Sequence, residues 1–163
     1  MKESGDMQQI STCLWFDGKA EEAANFYTSI FKESKIISTM RYGEAGPGPK
    51  GSVLTVTFQI NGYEIIALNG GPHFSFTPAI SLFVKCKSQE EVDYYWDSLL
   101  NGGKPEHCGW LYDKFGLCWQ IVPNILGEML QDKDPVKANR VMEAMLKMIK
   151  LDIATLQRAY DGA

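Results

Sequence analysis

The segment Glu21-Glu22-Ala23-Ala24-Asn25-Phe26-Tyr27-Thr28-Ser29-Ile30 lies over Glu90-Glu91-Val92-Asp93-Tyr94-Tyr95-Trp96-Asp97-Ser98-Leu99 at a constant offset of 69, with glutamates, aromatics, a serine and aliphatics in matching places. Such an internal repeat constrains the fold more than any single local signal, because both copies must adopt one supersecondary unit. Each segment reads as an amphipathic helix. Ala20, Ala23, Ala24, Tyr27, Ile30 and Phe31 form one apolar stripe; Val92, Tyr95, Trp96, Leu99 and Leu100 form the other. A strand precedes each helix, Ile10 to Phe16 in the first case and Ala79 to Cys86 in the second. After the first helix come Ile36 to Tyr42, Ser52 to Ile60 and Tyr63 to Leu68, and Asn61-Gly62 between the last two is a strong hairpin signal. The second helix opens on the capping box Ser88-Gln89-Glu90-Glu91 and stops at Gly102-Gly103. Leu117 to Val122, closed by Pro123 and preceded by the turn residues Asp113-Lys114-Phe115-Gly116, reads as a half-buried strand.

These elements imply an α+β chain of two tandem β-α-β-β-β units, about residues 8–70 and 78–123, with a C-terminal helical appendage at about 124–161, all within one domain spanning 8–163. In the appendage Asp134-Pro135 starts a helix whose stripe is Val141, Met142, Met145, Leu146 and Ile149. Asp152 caps a second helix, with Leu151 and Leu156 as a hydrophobic staple. The Gly- and Pro-rich stretch Gly43 to Gly51 reads as a mobile, exposed connector.

With 163 residues, 45% hydrophobic, the chain is long enough for a real core. A net charge of -4 without a Lys/Arg cluster lacks the electrostatic footprint of a nucleic-acid binder. No apolar run approaches the roughly 20 residues of a membrane span, and Met1-Lys2-Glu3-Ser4-Gly5-Asp6 lacks the apolar core of a secretion signal, so the expected location is cytoplasmic. Cys13, Cys86, Cys108 and Cys118 show no metal-type spacing and read as reduced structural thiols.

The run Cys108-Gly109-Trp110-Leu111-Tyr112-Asp113-Lys114-Phe115-Gly116-Leu117-Cys118-Trp119-Gln120-Ile121-Val122-Pro123 and the run Asp134 to Met148 resemble hallmark segments of the PhnB-like branch of the vicinal oxygen chelate superfamily. That superfamily includes glyoxalase I, extradiol dioxygenases and bleomycin-resistance proteins, and the branch carries the label 3-demethylubiquinone-9 3-methyltransferase. The resemblance runs from about Ile10 to Tyr160. It departs from the usual pattern at Cys118, where serine is common, and at Tyr112, where lysine is common.

The resemblance implies paired curved sheets whose concave face holds the site, with metal ligands, mostly His and Glu, on the first and last strand of each unit. Counting five residues back from Phe16 and Val84, and four on from Gly62 and Gly116, places those positions at Ser11, Ala79, Ile66 and Gln120. Among them Gln120 offers only a weak metal-binding atom and Ser11 only a neutral hydroxyl, so the expectation is no metal and no cofactor. Strand alternation then puts Ser11, Cys13 and Trp15, Glu64, Ile66 and Leu68, Ala79, Ser81 and Phe83, and Cys118, Gln120 and Val122 on the cavity face. Trp15, Trp110, Cys118 and Gln120 are the candidate ligand-binding residues, Trp110 through the resemblance in Gly109-Trp110-Leu111. Glu64 is the one candidate acid or base there, a solvated strand carboxylate being the alternative reading. His107 and Cys108 adjoin and point apart, and His73 lies in an exposed connector, so neither histidine forms a catalytic pair.

Three functions compete. A methyltransferase needs a nucleotide-type cofactor site, and no Gly-rich strand-turn-helix element is present; Gly46-Pro47-Gly48-Pro49 is broken by proline. A glyoxalase- or dioxygenase-like metalloenzyme lacks the ligands. A metal-independent protein binding an unidentified small molecule, or an enzyme of unknown reaction, remains. Open sheets with bare edges also imply a homodimer.

Overall fold

The computed structural model describes residues 8–163. The stretch Met1-Asp6, read above for a secretion signal, lies outside the described residues. Two compact units divide near Ser75. Unit one comprises β1 (Thr12–Phe16), α1 (Ala20–Ile30), β2 (Lys35–Arg41), β3 (Val53–Ile60) and β4 (Tyr63–Asn69), with strand order β1-β4-β3-β2. Unit two repeats this as β5 (Leu82–Cys86), α2 (Gln89–Leu100), β6 (Lys104–Pro105), β7 (Trp110–Tyr112) and β8 (Cys118–Pro123), with order β5-β8-β7-β6. In both the first strand pairs parallel to the last, and the remaining pairs are antiparallel. The repeated β-α-β-β-β units and the C-terminal helices are therefore present, the second copy having shrunken outer strands.

Local chemistry explains the elements. Asn61 and Gly62 both have positive φ (48° and 76°), the mirror-image turn that matches strand twist, and Ile60 faces Tyr63 across it. Every residue of the α1 stripe is buried, as are Val92, Trp96 and Leu99 of α2. Ser88 accepts the Glu91 N–H at 3.2 Å, while Glu91 returns to the N–H of Lys87, one residue outside the expected capping box. Leu14, Phe16, Val84, Trp119 and Ile121 point to the core as alternation required.

The expected strand at Ala79 starts late. Ala79 and Ile80 form an exposed turn and β5 begins only at Leu82. The connector 43–51 is exposed at most positions, yet it closes over the Tyr42 ring: a Cβ on Gly46 or Gly48 would come within 2.5 Å of that ring.

Three helices follow: α3 (Asn124–Leu130), α4 (Pro135–Leu146) and α5 (Ile153–Asp161). Asp134 and Asp152 cap α4 and α5, and Leu151 and Leu156 are fully buried together with Leu126, Met129 and Val141. The expected α4 stripe is only half used. Val141 is buried and Met145 half-buried, but Met142, Leu146 and Ile149 stay exposed, because α4 ends at Leu146 and its short contact with α3 and α5 needs one narrow face. Among the described residues no helix is long and apolar enough to cross a membrane. All four cysteines are free.

Candidate functional site

The β7–β8 hairpin is built around one buried carboxylate. Asp113, 3% exposed, accepts the N–H groups of Phe115 (2.8 Å) and Leu117 (3.1 Å) on Oδ1 and the indole N–H of Trp119 (2.9 Å) on Oδ2. That anchor closes the turn and holds Trp119 in the core, which sends its neighbour Gln120 to the opposite face. At the other end of β7, Cys108 and Gly109 have positive φ (60° and 84°) and donate their N–H groups to Met148 and Ile149 at 2.8 and 2.7 Å. The strand is thereby pinned to the C-terminal segment. Glycine is required at 109, since a Cβ there would lie 2.9 Å from both the Ile121 carbonyl oxygen and Leu151.

The ladder then arranges side chains in rows. Gln120 faces Phe83 on β5 and Trp110 on β7, and Val122 faces Lys85. Beside these rows α3 and α4 wall one side of a half-open cavity of about 360 Å³. Its walls are Phe83, Trp110 and Val122 below, with Leu126, Leu130 and Met145 from the helices. The residues with polar side chains that line it are Gln120, Lys85, Asn124 and Cys108. Volume and lining fall in the range of small-molecule sites, which combine apolar walls with a few placed polar atoms.

Gln120 is half-buried, and its Nε2 donates to Ser81 Oγ at 2.9 Å. The amide is thus oriented by a neighbouring strand end, and its Oε1 has no partner among the described residues. Lys85 is exposed and has no ion-pair partner among the described residues either.

The structure brings Trp110 and Gln120 together in this cavity. Cys118 shares the strand but is 1% exposed and does not line it; burial, with the charges of Glu106 and Asp113 in support, raises its thiol pKa. Trp15 is held within unit one, where its indole N–H donates to the Gly71 carbonyl at 2.9 Å and its ring meets Phe74 edge-on at 4.9 Å. Gly70 lies against the ring so closely that a Cβ would come within 2.3 Å.

The inferred ligand positions need one correction. Phe16 pairs with Asn69, seven residues after Gly62, and Cys86 pairs with Pro123, seven residues after Gly116. The counterpart of Phe16 is therefore Cys86, not Val84, and the counterpart of Ser11 is Ser81, not Ala79. Counting from Val84 failed because β5 continues one alternation further before its helix. Ser11, Ile66, Ser81 and Gln120 still offer neither imidazole nor carboxylate, and their neutral oxygens do not fit a catalytic divalent ion. Among the described residues no three His, Cys, Asp or Glu side chains converge. Glu64, two residues before Ile66 in unit one, accepts a hydrogen bond from Ser11 Oγ at 2.7 Å. His73 and His107 are both exposed.

A second cleft, about 430 Å³, lies in unit one between Tyr42, the 47–49 loop and Gly70-Gly71. Its polar groups are mostly spent internally. Tyr42 donates to the Asn69 carbonyl, the Asn69 side chain binds Ala20 N–H and the Val53 carbonyl, and Ser52 donates to Pro49. The unit-two cavity is the better candidate because Gln120 Oε1 and the Lys85 ammonium have no partner among the described residues.

Sequence reasoning missed Lys85, Cys108 and the helical wall. Lys85 was within reach, since it continues the period of Ser81 and Phe83. Leu126, Leu130 and Met145 depend on how the appendage docks, which no local pattern encodes.

Residues 8–122 match the model of the family described as 3-demethylubiquinone-9 3-methyltransferase. The run Asp134 to Met148 lies outside that match. Among solved structures, a Bacillus cereus protein described as a putative 3-demethylubiquinone-9 3-methyltransferase, PhnB protein, is 43% identical, with 71% of this chain and 99% of that one covered and a TM-score of 0.66. Protein PA1353 from Pseudomonas aeruginosa (18% identity, 72% and 98% covered, TM-score 0.60) shares the fold. So does the fosfomycin resistance protein FosX from Listeria monocytogenes (18% identity, 76% and 98% covered, TM-score 0.52). No curated protein matches.

Proposed function

The chain belongs to the 3-demethylubiquinone-9 3-methyltransferase family, PhnB-like members of the vicinal oxygen chelate superfamily, and from that membership we propose that it is a metal-independent small-molecule-binding protein whose site is the unit-two cavity. The observation that carries this reading is the row Phe83–Gln120–Trp110, an oriented amide with an unpartnered oxygen between two aromatic side chains beside a helical wall. Of the four residues expected to bind ligand, Gln120 hydrogen-bonds it and Trp110 stacks on it. Cys118, buried two residues before Gln120 on the same strand, packs that strand without touching ligand, and Trp15 shapes unit one. The methyltransferase name is a family label, and the donor set argues against a metal-assisted reaction.

A homodimer belongs to the same proposal. Strand β2 is exposed along its whole length and carries Ile36, Ile37 and Met40 at 39%, 46% and 59% exposure, an unprotected edge of the kind proteins cover by pairing. Free thiols agree with a cytoplasmic protein.

Thermal-shift measurements on the wild type and on Leu130→Trp, which fills the cavity from the helical side, test the site. Planar aromatic metabolites should raise the melting temperature of the wild type and leave the variant unmoved, since a ligand stabilises only the state that binds it. Stabilisation confined to S-adenosylmethionine or to divalent metals would overturn the proposal.

A further inference from the structure

Resting on that reading, we infer that the ligand is a planar aromatic acid: a ring bearing a hydrogen-bond donor at one end and an anionic group at the other. Three features of the cavity define the class. First, Gln120 presents an acceptor. With Nε2 committed to Ser81 Oγ at 2.9 Å, its carbonyl Oε1 is the group left without a partner among the described residues and calls for an O–H or N–H group. Second, Phe83 and Trp110 stand one strand to either side of Gln120, so their backbones are about 9.6 Å apart, room for a ring to lie between their side chains above the amide. An aromatic occupant gains stacking with both, beyond its area of burial.

Third, Lys85 is the one charged side chain lining the cavity, and no carboxylate lines it. Lys85 follows Phe83 by two residues on β5 and shares its face, which places its stem about 6.6 Å further along the strand from the Gln120 row. Lys85 is thus the charged residue placed toward the far end of a ring whose donor contacts Gln120. Leaving Lys85 unpaired beside an apolar wall has no structural use, whereas an acid on the ligand makes a charge-assisted bond there.

Calorimetric titration with three probes separates the contributions: 4-hydroxyphenylacetate, its neutral analogue 4-hydroxyphenylacetamide, and phenylacetate, which lacks the donor. On the wild type the hydroxy acid should bind about tenfold more tightly than either relative, the worth of one hydrogen bond to a charged or well-oriented group. Lys85→Met, which keeps the apolar stem at an exposed position, should erase the preference over the amide. Gln120→Leu should erase the preference over phenylacetate alone. Equal binding of acid and amide to the wild type, or an unchanged ratio in Lys85→Met, overturns the acidic class while the cavity reading stands. No binding of any probe, with the melting temperature of the wild type unmoved by neutral aromatics as well, defeats both.

Discussion

Replacing Asp113 with alanine should destabilise unit two more than any surface change, and the size follows from its hydrogen bonds. The carboxylate serves Phe115 N–H, Leu117 N–H and Trp119 Nε1–H at 2.8, 3.1 and 2.9 Å. In the variant the Phe115 amide is half-buried and reaches water, but Leu117 and Trp119, 2% and 1% exposed, do not. Two buried donors left unpaired at about 1–3 kcal/mol each give a loss of about 4 kcal/mol. Asp113→Asn keeps a carbonyl for the two backbone groups and turns an NH2 toward the indole, so about half that loss is expected. At a slope of about 2 kcal/mol/M, the urea midpoint should fall by about 2 M for alanine and about 1 M for asparagine. Coincident fluorescence and circular-dichroism transitions would license the comparison. An alanine variant within 0.5 M of the wild type, or an asparagine variant as damaged as alanine, would refute the anchoring role. Because the same turn fixes the Trp110–Gln120 pairing, both variants should also weaken aromatic ligands.

Gly109→Ala combines a φ of 84° with contacts of 2.9 Å to Ile121 and Leu151, and should cost about 2–4 kcal/mol in the same urea assay; a neutral effect would mean the 108–109 turn relaxes freely. The Cys86 thiol, pushed from 9.0 up to about 11 by burial first and Glu91 second, keeps its proton in the folded chain where the unfolded chain loses it. Its contribution is therefore intact below pH 9 and falls by about 2–3 kcal/mol as pH rises to 11, and Cys86→Ala should flatten that part of the stability profile. Cys108 lines the cavity half-buried, so in a Cys13→Ser background a bulky maleimide should modify one thiol by mass spectrometry and abolish the ligand-induced thermal shift. Modification that leaves the shift intact would place the ligand elsewhere.

The sequence carried the architecture because both copies of the unit repeat their helix stripe, and helices bury stripes whatever their context. It also carried the orientation of Gln120, since alternation is forced once Trp119 and Ile121 are in the core. Trp15 was legible as facing inward from its strand but not as bound by Gly71 and Phe74, because those partners sit in a connector without periodicity. Ala79 was mistaken for a strand residue for a similar reason: the apolar Ala79-Ile80 pair has strand composition, but the ladder starts only where β8 offers a partner at Trp119. The α4 stripe overran because hydrophobicity marks what a helix is able to bury, while the partners α3 and α5 decide what it does bury. The helical wall of the cavity was invisible for the same reason.

The central claim is that the unit-two cavity is the binding site, and side-chain resonances report on it most directly. In a 1H–15N spectrum titrated with 4-hydroxyphenylacetamide, a neutral probe independent of Lys85, the Trp110 indole N–H and the Gln120 side-chain amide should move together along one saturable curve. The Trp15 indole, bonded to Gly71 within unit one, should stay in place. Movement of Trp15 with Trp110 and Gln120 silent would contradict the account and move the site to unit one.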